Sequence, residues 1–160
     1  MYVKGRSYEK RLEHYLNKLF ERGVPIGGTR RYPVAFRVPL SGAVTSGLLR
    51  WYLGPFCEAD VVVVDACEAN GPPRLGFEVK ARKDVRLNAP LPKWVRSVYS
   101  TLPVNHYLVV FIRRVGWYVV RNGAVGLGLQ PLHLAIQELL EAAYEYKPIC
   151  SVQQTPVRGV

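Results

Sequence analysis

Ala59-Asp60-Val61-Val62-Val63-Val64-Asp65 and, after a short connection, Leu75-Gly76-Phe77-Glu78-Val79-Lys80-Ala81 decide how this chain is read. Each is a run of apolar, largely β-branched residues long enough for one strand and too short for a helix. Asn70-Gly71 is a turn signal, and Pro72 and Pro73 prevent pairing in the connection. The two runs are therefore consecutive buried strands. A buried strand does not carry carboxylates without a reason, because an unpaired ionised group there costs several kcal/mol or shifts its pKa. Asp60, Glu78 and Lys80 break both runs with charge. Side chains alternate across a strand, so Glu78 and Lys80 share one face and Phe77, Val79 and Ala81 the other.

A carboxylate beside an ammonium, with a second carboxylate on the next strand, has two readings. One is an interstrand salt bridge of Lys80 with Glu78 or Asp60. The other is a site for a hard cation and an anionic substrate. Asp60 and Glu78 can hold Mg²⁺, which prefers oxygen ligands and keeps several waters. Such a cation lowers the pKa of bound water and polarises a phosphoryl oxygen. Lys80 can orient the attacking water or stabilise charge building on phosphate. Together these are the parts needed for phosphodiester hydrolysis.

The charge balance favours the second reading. The chain has 160 residues, 49% of them apolar and 21% charged, ordinary values for one globular domain. Its formal net charge of +10 is not ordinary, nor is it evenly spread. Residues 1–130 hold 20 Lys and Arg against 9 Asp and Glu, whereas residues 131–160 hold 2 against 3. A basic body with a neutral end is the footprint of a polyanion-binding protein. A basic surface without a partner is the alternative. The field concentrates after the second strand, in Lys80, Arg82, Lys83, Arg86, Lys93 and Arg96.

Other classes lack support. No signal-peptide core, membrane-length apolar run or glycine-rich phosphate loop is present. The expectation is a cytoplasmic protein with no membrane attachment and no nucleotide cofactor. Cys57, Cys67 and Cys150 have no zinc-type spacing and read as buried free thiols, with a disulfide as the alternative.

The first helix is expected over about Ser7–Arg22, with Ser7 as N-cap and Gly23 as terminator. Tyr8, Leu12, Tyr15, Leu16, Leu19 and Phe20 form its apolar stripe. At roughly 100° per residue, Glu9 lies about 60° from the stripe's centre and Glu13 about 100°. Glu9 is thus the acid offered to the sheet, although a helix N-terminus also favours an acid there. Further strands are expected over Val34–Val38, His106–Arg113, Trp117–Arg121 and Ala124–Leu129, with a helix over Pro92–Leu102. Leu48–Leu53 reads as a small core element, with a surface that meets DNA or a second subunit as the alternative. Leu132, Ala135, Ile136, Leu139, Leu140 and Ala143 mark an amphipathic terminal helix.

The order of these motifs resembles the archaeal Holliday junction resolvase (Hjc) family of the PD-(D/E)xK nuclease superfamily. Met1–Leu12 is similar to the family's opening helix with its glutamate, and Arg37-Val38-Pro39-Leu40-Ser41-Gly42 to its Arg-Ser-Ala-Gly-Ser segment. Ala59-Asp60-Val61-Val62 stands at the Pro-Asp position, with Ala59 for proline. Phe77-Glu78-Val79-Lys80 matches the Glu-x-Lys strand, and Val115–Val119 resembles the Gly-Trp strand that follows. The chain is longer than the family between Glu9 and Asp60.

The resemblance implies an α/β, restriction-endonuclease-like fold with a central mixed β-sheet flanked by helices. Residues 1–150 would form a single nuclease domain and 151–160 a flexible tail. The implied activity is paired nicking of four-way DNA junctions, with Mg²⁺, or alternatively Mn²⁺, as the metal. Glu9, Asp60, Glu78, Lys80 and Ser41 would be catalytic, and Glu9, Asp60 and Glu78 metal ligands. Lys4, Lys10, Arg37, Arg82, Lys83, Arg86, Lys93 and Arg96 would contact DNA. A homodimer would supply two active sites, with apolar residues such as Leu139 or Trp117 supporting its interface directly or from beneath; the alternative is that the terminal helix only covers its own sheet. A flap, repair or restriction-like nuclease, or a non-catalytic DNA-binding scaffold, is the alternative.

Overall fold

The computed structural model describes residues 2–38, 51–68 and 71–145, with side chains from Ser7 onward. It is a mixed α/β structure. The elements run α1 (Tyr2–Phe20), β1 (Val24–Ile26), β2 (Thr29–Arg31), β3 (Pro33–Arg37), a 3-10 turn (Gly54–Phe56), β4 (Val61–Asp65) and β5 (Leu75–Lys80). Then follow α2 (Lys93–Thr101), β6 (His106–Ile112), β7 (Gly116–Gly123), β8 (Gly126–Pro131) and α3 (Leu132–Glu145). The central sheet has six strands in chain order, β3-β4-β5-β6-β7-β8. All neighbours are antiparallel except β5 and β6, which are parallel. A parallel pair needs a crossover, and α2 provides it.

The two valine-rich runs form the middle of the sheet because both faces there are covered. Val61, Val63, Leu75, Phe77, Val79, Val109 and Val119 point to one face, under Leu12, Leu16 and Phe20 of α1 and the apolar stripe of α3. All six residues expected on the α3 stripe are buried. On the opposite face Leu108, Val110, Ile112 and Val120 pack under Val95 of α2. Val62 and Val38 there meet Leu53, Phe56, Cys57 and Ala59. Leu53 is thus the core member of the Leu48–Leu53 segment, whereas Trp51 is 56% exposed and residues 48–50 lie outside the described residues.

The helix α1 begins earlier than its sequence suggests, so Ser7 is an internal residue and not the N-cap. Leu19, expected on the stripe, is 36% exposed, while Leu12 and Leu16 are fully buried. Gly23 ends the helix at φ +79, where an added Cβ would meet Arg30, Tyr32 and the Arg31 carbonyl within 3.0 Å. The hairpin β1–β2 that follows has no counterpart among the sequence expectations. Its turn is Gly27-Gly28, at φ +60 and +81, the double positive φ of a type I′ hairpin. Cys57 is buried and free as expected, but Cys67 is an exposed free thiol and not a buried one.

One flank of α1 is polar, and it seals the open edge of the sheet. Asn17 Nδ2 donates to the Ala35 carbonyl at 2.9 Å, and Asn17 Oδ1 accepts the Ala35 N–H at 2.8 Å. One turn earlier, Glu13 Oε2 accepts the Arg37 N–H at 3.0 Å. The backbone groups that β3 would leave unpaired as an edge strand are therefore taken by a helix. Replacing Asn17 with Ala removes two partly buried hydrogen bonds and should lower the unfolding free energy by about 1–3 kcal/mol. Urea denaturation measures this. An unchanged midpoint would mean that the apolar stripe alone docks α1.

Candidate active site

Where the Val61–Phe77 register ends, β4 gives way to Asp60. The Asp60 N–H donates to the Phe77 carbonyl at 2.9 Å, and its own carbonyl accepts the Val38 N–H at 2.9 Å. Its side chain then takes over the ladder: Oδ2 accepts the Val79 N–H at 2.8 Å. The carboxylate is thereby pinned between β3 and β5, at the point where Glu78 and Lys80 leave the sheet. Glu78 Oε2 and Lys80 Nζ lie 3.6 Å apart, each side chain 28% exposed. By alternation they share the face of Gly76, against which Phe56 and His106 pack.

Glu9 approaches Asp60 from the helix on the other face. Glu9, Glu13 and Asn17 are spaced one turn apart on the flank that runs along β3. Glu13 and Asn17 grip the strand, so Glu9 is carried one turn beyond it, to Asp60. The angular argument that chose Glu9 over Glu13 holds for the site. Glu13, however, does not point away: besides the Arg37 N–H, it holds the Arg37 guanidinium at 4.0 Å. Arg37 is close enough to Glu9 to favour its charged form.

The three carboxyls perturb one another. Burial, and then the Asp60 charge, push Glu9 up to about 7. Burial, and then the Asp60 charge, raise Glu78, with Lys80 opposing. Asp60 is raised by burial, while the Val79 N–H, Lys80 and hydrogen bonds to both glutamates oppose the shift. Burial thus moves all three carboxyls toward their neutral forms, and Glu9, at about 7, is part-protonated at neutral pH. Linked carboxyls with raised pKa values mark functional sites more often than structural ones.

The second acid of the same strand shows the contrast. Asp65, at the far end of β4, is 3% exposed. It accepts the Tyr144 hydroxyl and the Cys67 N–H, both at 2.8 Å, and lies 3.6 Å from Arg31. Its charge meets three fixed partners, whereas among the described residues that of the Asp60 cluster meets Lys80, Arg37 and the Val79 N–H.

Among the described residues, no group of three or more His, Cys, Asp or Glu side chains is placed to hold a metal ion. The pair Asp60 and Glu78 is all oxygen and stays partly open to solvent. That fits a hydrated Mg²⁺, which binds through one or two carboxylates and keeps its waters.

Lys10, Arg82, Lys83, Arg86, Lys93 and Arg96 are all exposed. Arg82, Lys83 and Arg86 line a groove leading from Ala81, directly beyond Lys80, along the end of β6. Arg113 lines it too and was not singled out from sequence, nor were Glu13 and Asn17. The one-turn spacing of Glu9, Glu13 and Asn17 was the available signal for the last two. Ser41 lies outside the described residues, and the Lys4 side chain lies outside those whose side chains are described. No helix among the described residues is long and apolar enough to cross a membrane. No protein-family model, curated protein or solved structure gives a significant match to this chain.

The raised pKa of Glu9 has a defined sign for stability. Because the folded value of about 7 exceeds the ordinary 4.5, the folded state prefers protonated Glu9. That contribution is complete below pH 4.5 and is lost as pH rises through 7. In EDTA, the Tm of Glu9→Gln should therefore gain on wild type as pH rises across this interval and then level off. A Tm difference that stays constant from acid to alkaline pH would show that Glu9 is not coupled to Asp60.

Proposed function

We propose that this chain is a metal-dependent endodeoxyribonuclease with a restriction-endonuclease-like fold, acting on branched DNA, with four-way junctions as its substrate. One observation carries the hydrolytic part of the reading: Glu9, Asp60, Glu78 and Lys80, from three separate elements, converge at one end of the sheet beside an exposed basic groove. The choice of junctions rests on the resemblance of these motifs to the archaeal Holliday junction resolvase family.

In this reading Asp60 and Glu78 hold Mg²⁺ and Glu9 supports them. When bound, the ion supplies a more acidic water and polarises the phosphoryl oxygen. The chain's own groups do the rest. Lys80, held by Glu78, places a compact positive charge where negative charge grows on the phosphoryl group. Arg37, tethered by Glu13, positions the phosphate. The exposed Lys and Arg side chains neutralise the backbone and bring it to the site. Paired nicks call for two sites, which a two-fold dimer provides most simply. Leu139 and Trp117 are 1% and 7% exposed, so in such a dimer they would support the interface from beneath.

A second reading has an observation of its own. The Lys80–Glu78 pair at 3.6 Å is also what a structural salt bridge looks like. Mutants separate the two. Asp60→Asn and Glu78→Gln should each abolish metal-dependent nicking of a synthetic four-way junction while leaving junction binding intact or tighter, because they remove charge that repels phosphate. Lys80→Ala should slow single-turnover cleavage by at least about 10²-fold, the scale of one lost transition-state donor. Lys80→Arg should not rescue it, since a planar fork cannot replace a compact ammonium. Wild-type rates in Lys80→Ala would leave the salt bridge as the better account, and cleavage of linear duplex at the junction rate would remove the junction assignment.

A further inference from the structure

Six arginines are held by neighbouring groups, in two ways. Arg31, Arg37, Arg74 and Arg121 each lie against a carboxylate. Arg11 and Arg82 have no such partner among the described residues, yet both are held in place. The Arg11 guanidinium lies 4.5 Å from the Phe111 ring centroid and 5.0 Å from that of Tyr8. The two rings are themselves packed, with centroids 5.3 Å apart. The Arg82 guanidinium lies 4.8 Å from the Trp94 ring, and Trp94 Nε1–H donates to Asp84 at 2.9 Å.

Arg82 lines a groove together with Lys83, Arg86, Arg113 and the two rings that Arg11 lies over, Tyr8 and Phe111; among the described residues no acidic side chain lines it. Arg11 itself lines a second hollow with Lys10, His14 and Lys18. The groove starts at Ala81, the residue that follows Lys80. The contrast with the pocket at the other end of the sheet is sharp, because that pocket mixes Arg31 and Arg74 with Glu68, Glu141 and Glu145.

A guanidinium stacked on a ring spends its face on the ring and keeps its N–H edge free. That edge matches two phosphate oxygens at once. Stacking also removes the rotamer freedom that a free arginine would lose on binding. We infer that Arg11 and Arg82 are a pair of ring-stacked phosphate clamps that grip the backbone of the DNA strand as it enters the site along this groove. This rests on the nuclease reading and gives Arg82 a defined role there, together with Arg11, which was not among the expected DNA contacts.

The test measures binding of a synthetic four-way junction in EDTA by fluorescence anisotropy over a series of KCl concentrations. Arg11→Ala and Arg82→Ala should each flatten the slope of log K against log salt by about one, the release expected for one phosphate contact, and weaken binding by about tenfold. Arg11→Lys should keep the slope, because the charge remains, but still bind at least about threefold more weakly, because an ammonium cannot stack as a fork. Arg22→Ala, at the far end of α1, should match wild type. Wild-type slope and affinity in Arg11→Ala and Arg82→Ala would overturn the clamp, and wild-type affinity in Arg11→Lys would overturn its stacked basis. A wild-type protein whose DNA binding ignores salt would overturn the nuclease reading itself, a result distinct from either.

Discussion

The Asp60 carboxylate accepts the Val79 N–H at 2.8 Å, in the place where a strand would otherwise continue the ladder. This bond does two things at once. It satisfies a buried peptide donor, which left alone would cost on the order of 1–3 kcal/mol. It also holds a negative charge against β5, where Glu78 and Lys80 emerge. The valine run makes this position rigid, because Val61, Val62 and Val63 are fully buried from both faces. A carboxylate at the end of so fixed a strand cannot swing away to relieve repulsion. Its neighbours must adapt, and the upward shifts of Glu9 and Glu78 record that they do.

The placement of Glu9 depends on a second constraint, the need to close the sheet edge. An open β3 would present a row of unpaired backbone groups. Asn17 and Glu13 take those groups, and in doing so they fix the axial position of α1 along the strand. Glu9 follows from the helical repeat. The sheet edge is stabilised and the third carboxyl is positioned by the same helix flank. The opposite flank of α1 carries Tyr8 and Arg11 to Phe111. One helix therefore serves the carboxylate cluster on one side and the basic groove on the other.

A comparison within β4 shows why composition alone does not identify a site. Asp60 and Asp65 bound the same apolar run and look equivalent in the sequence. Asp65 is met by Tyr144 from α3, Arg31 from β2 and the Cys67 N–H. Asp60 is met by two further acids. The difference lies in partners brought from distant parts of the chain, which local sequence cannot specify.

The sequence by itself determined the layers of this protein. Two apolar runs interrupted by charge, an alternating Glu-x-Lys and two amphipathic helices are local patterns, and periods of 2 and 3.6 residues translate them directly into buried faces. For that reason β4, β5, α2 and the whole apolar stripe of α3 were legible, as was Glu9 as the acid of α1. The hairpin at Gly27-Gly28, the grip of Glu13 and Asn17 on β3, and the burial of Trp117 were not. These depend on which surfaces meet, and hydrophobic burial is non-directional. Only the tertiary structure decided that the α3 stripe covers its own sheet, that Asp65 is neutralised while Asp60 is not, and that Arg11 lies on two rings beside the groove. Each outcome was settled by side-chain contacts between segments far apart in the chain, where no period in the sequence carries the information.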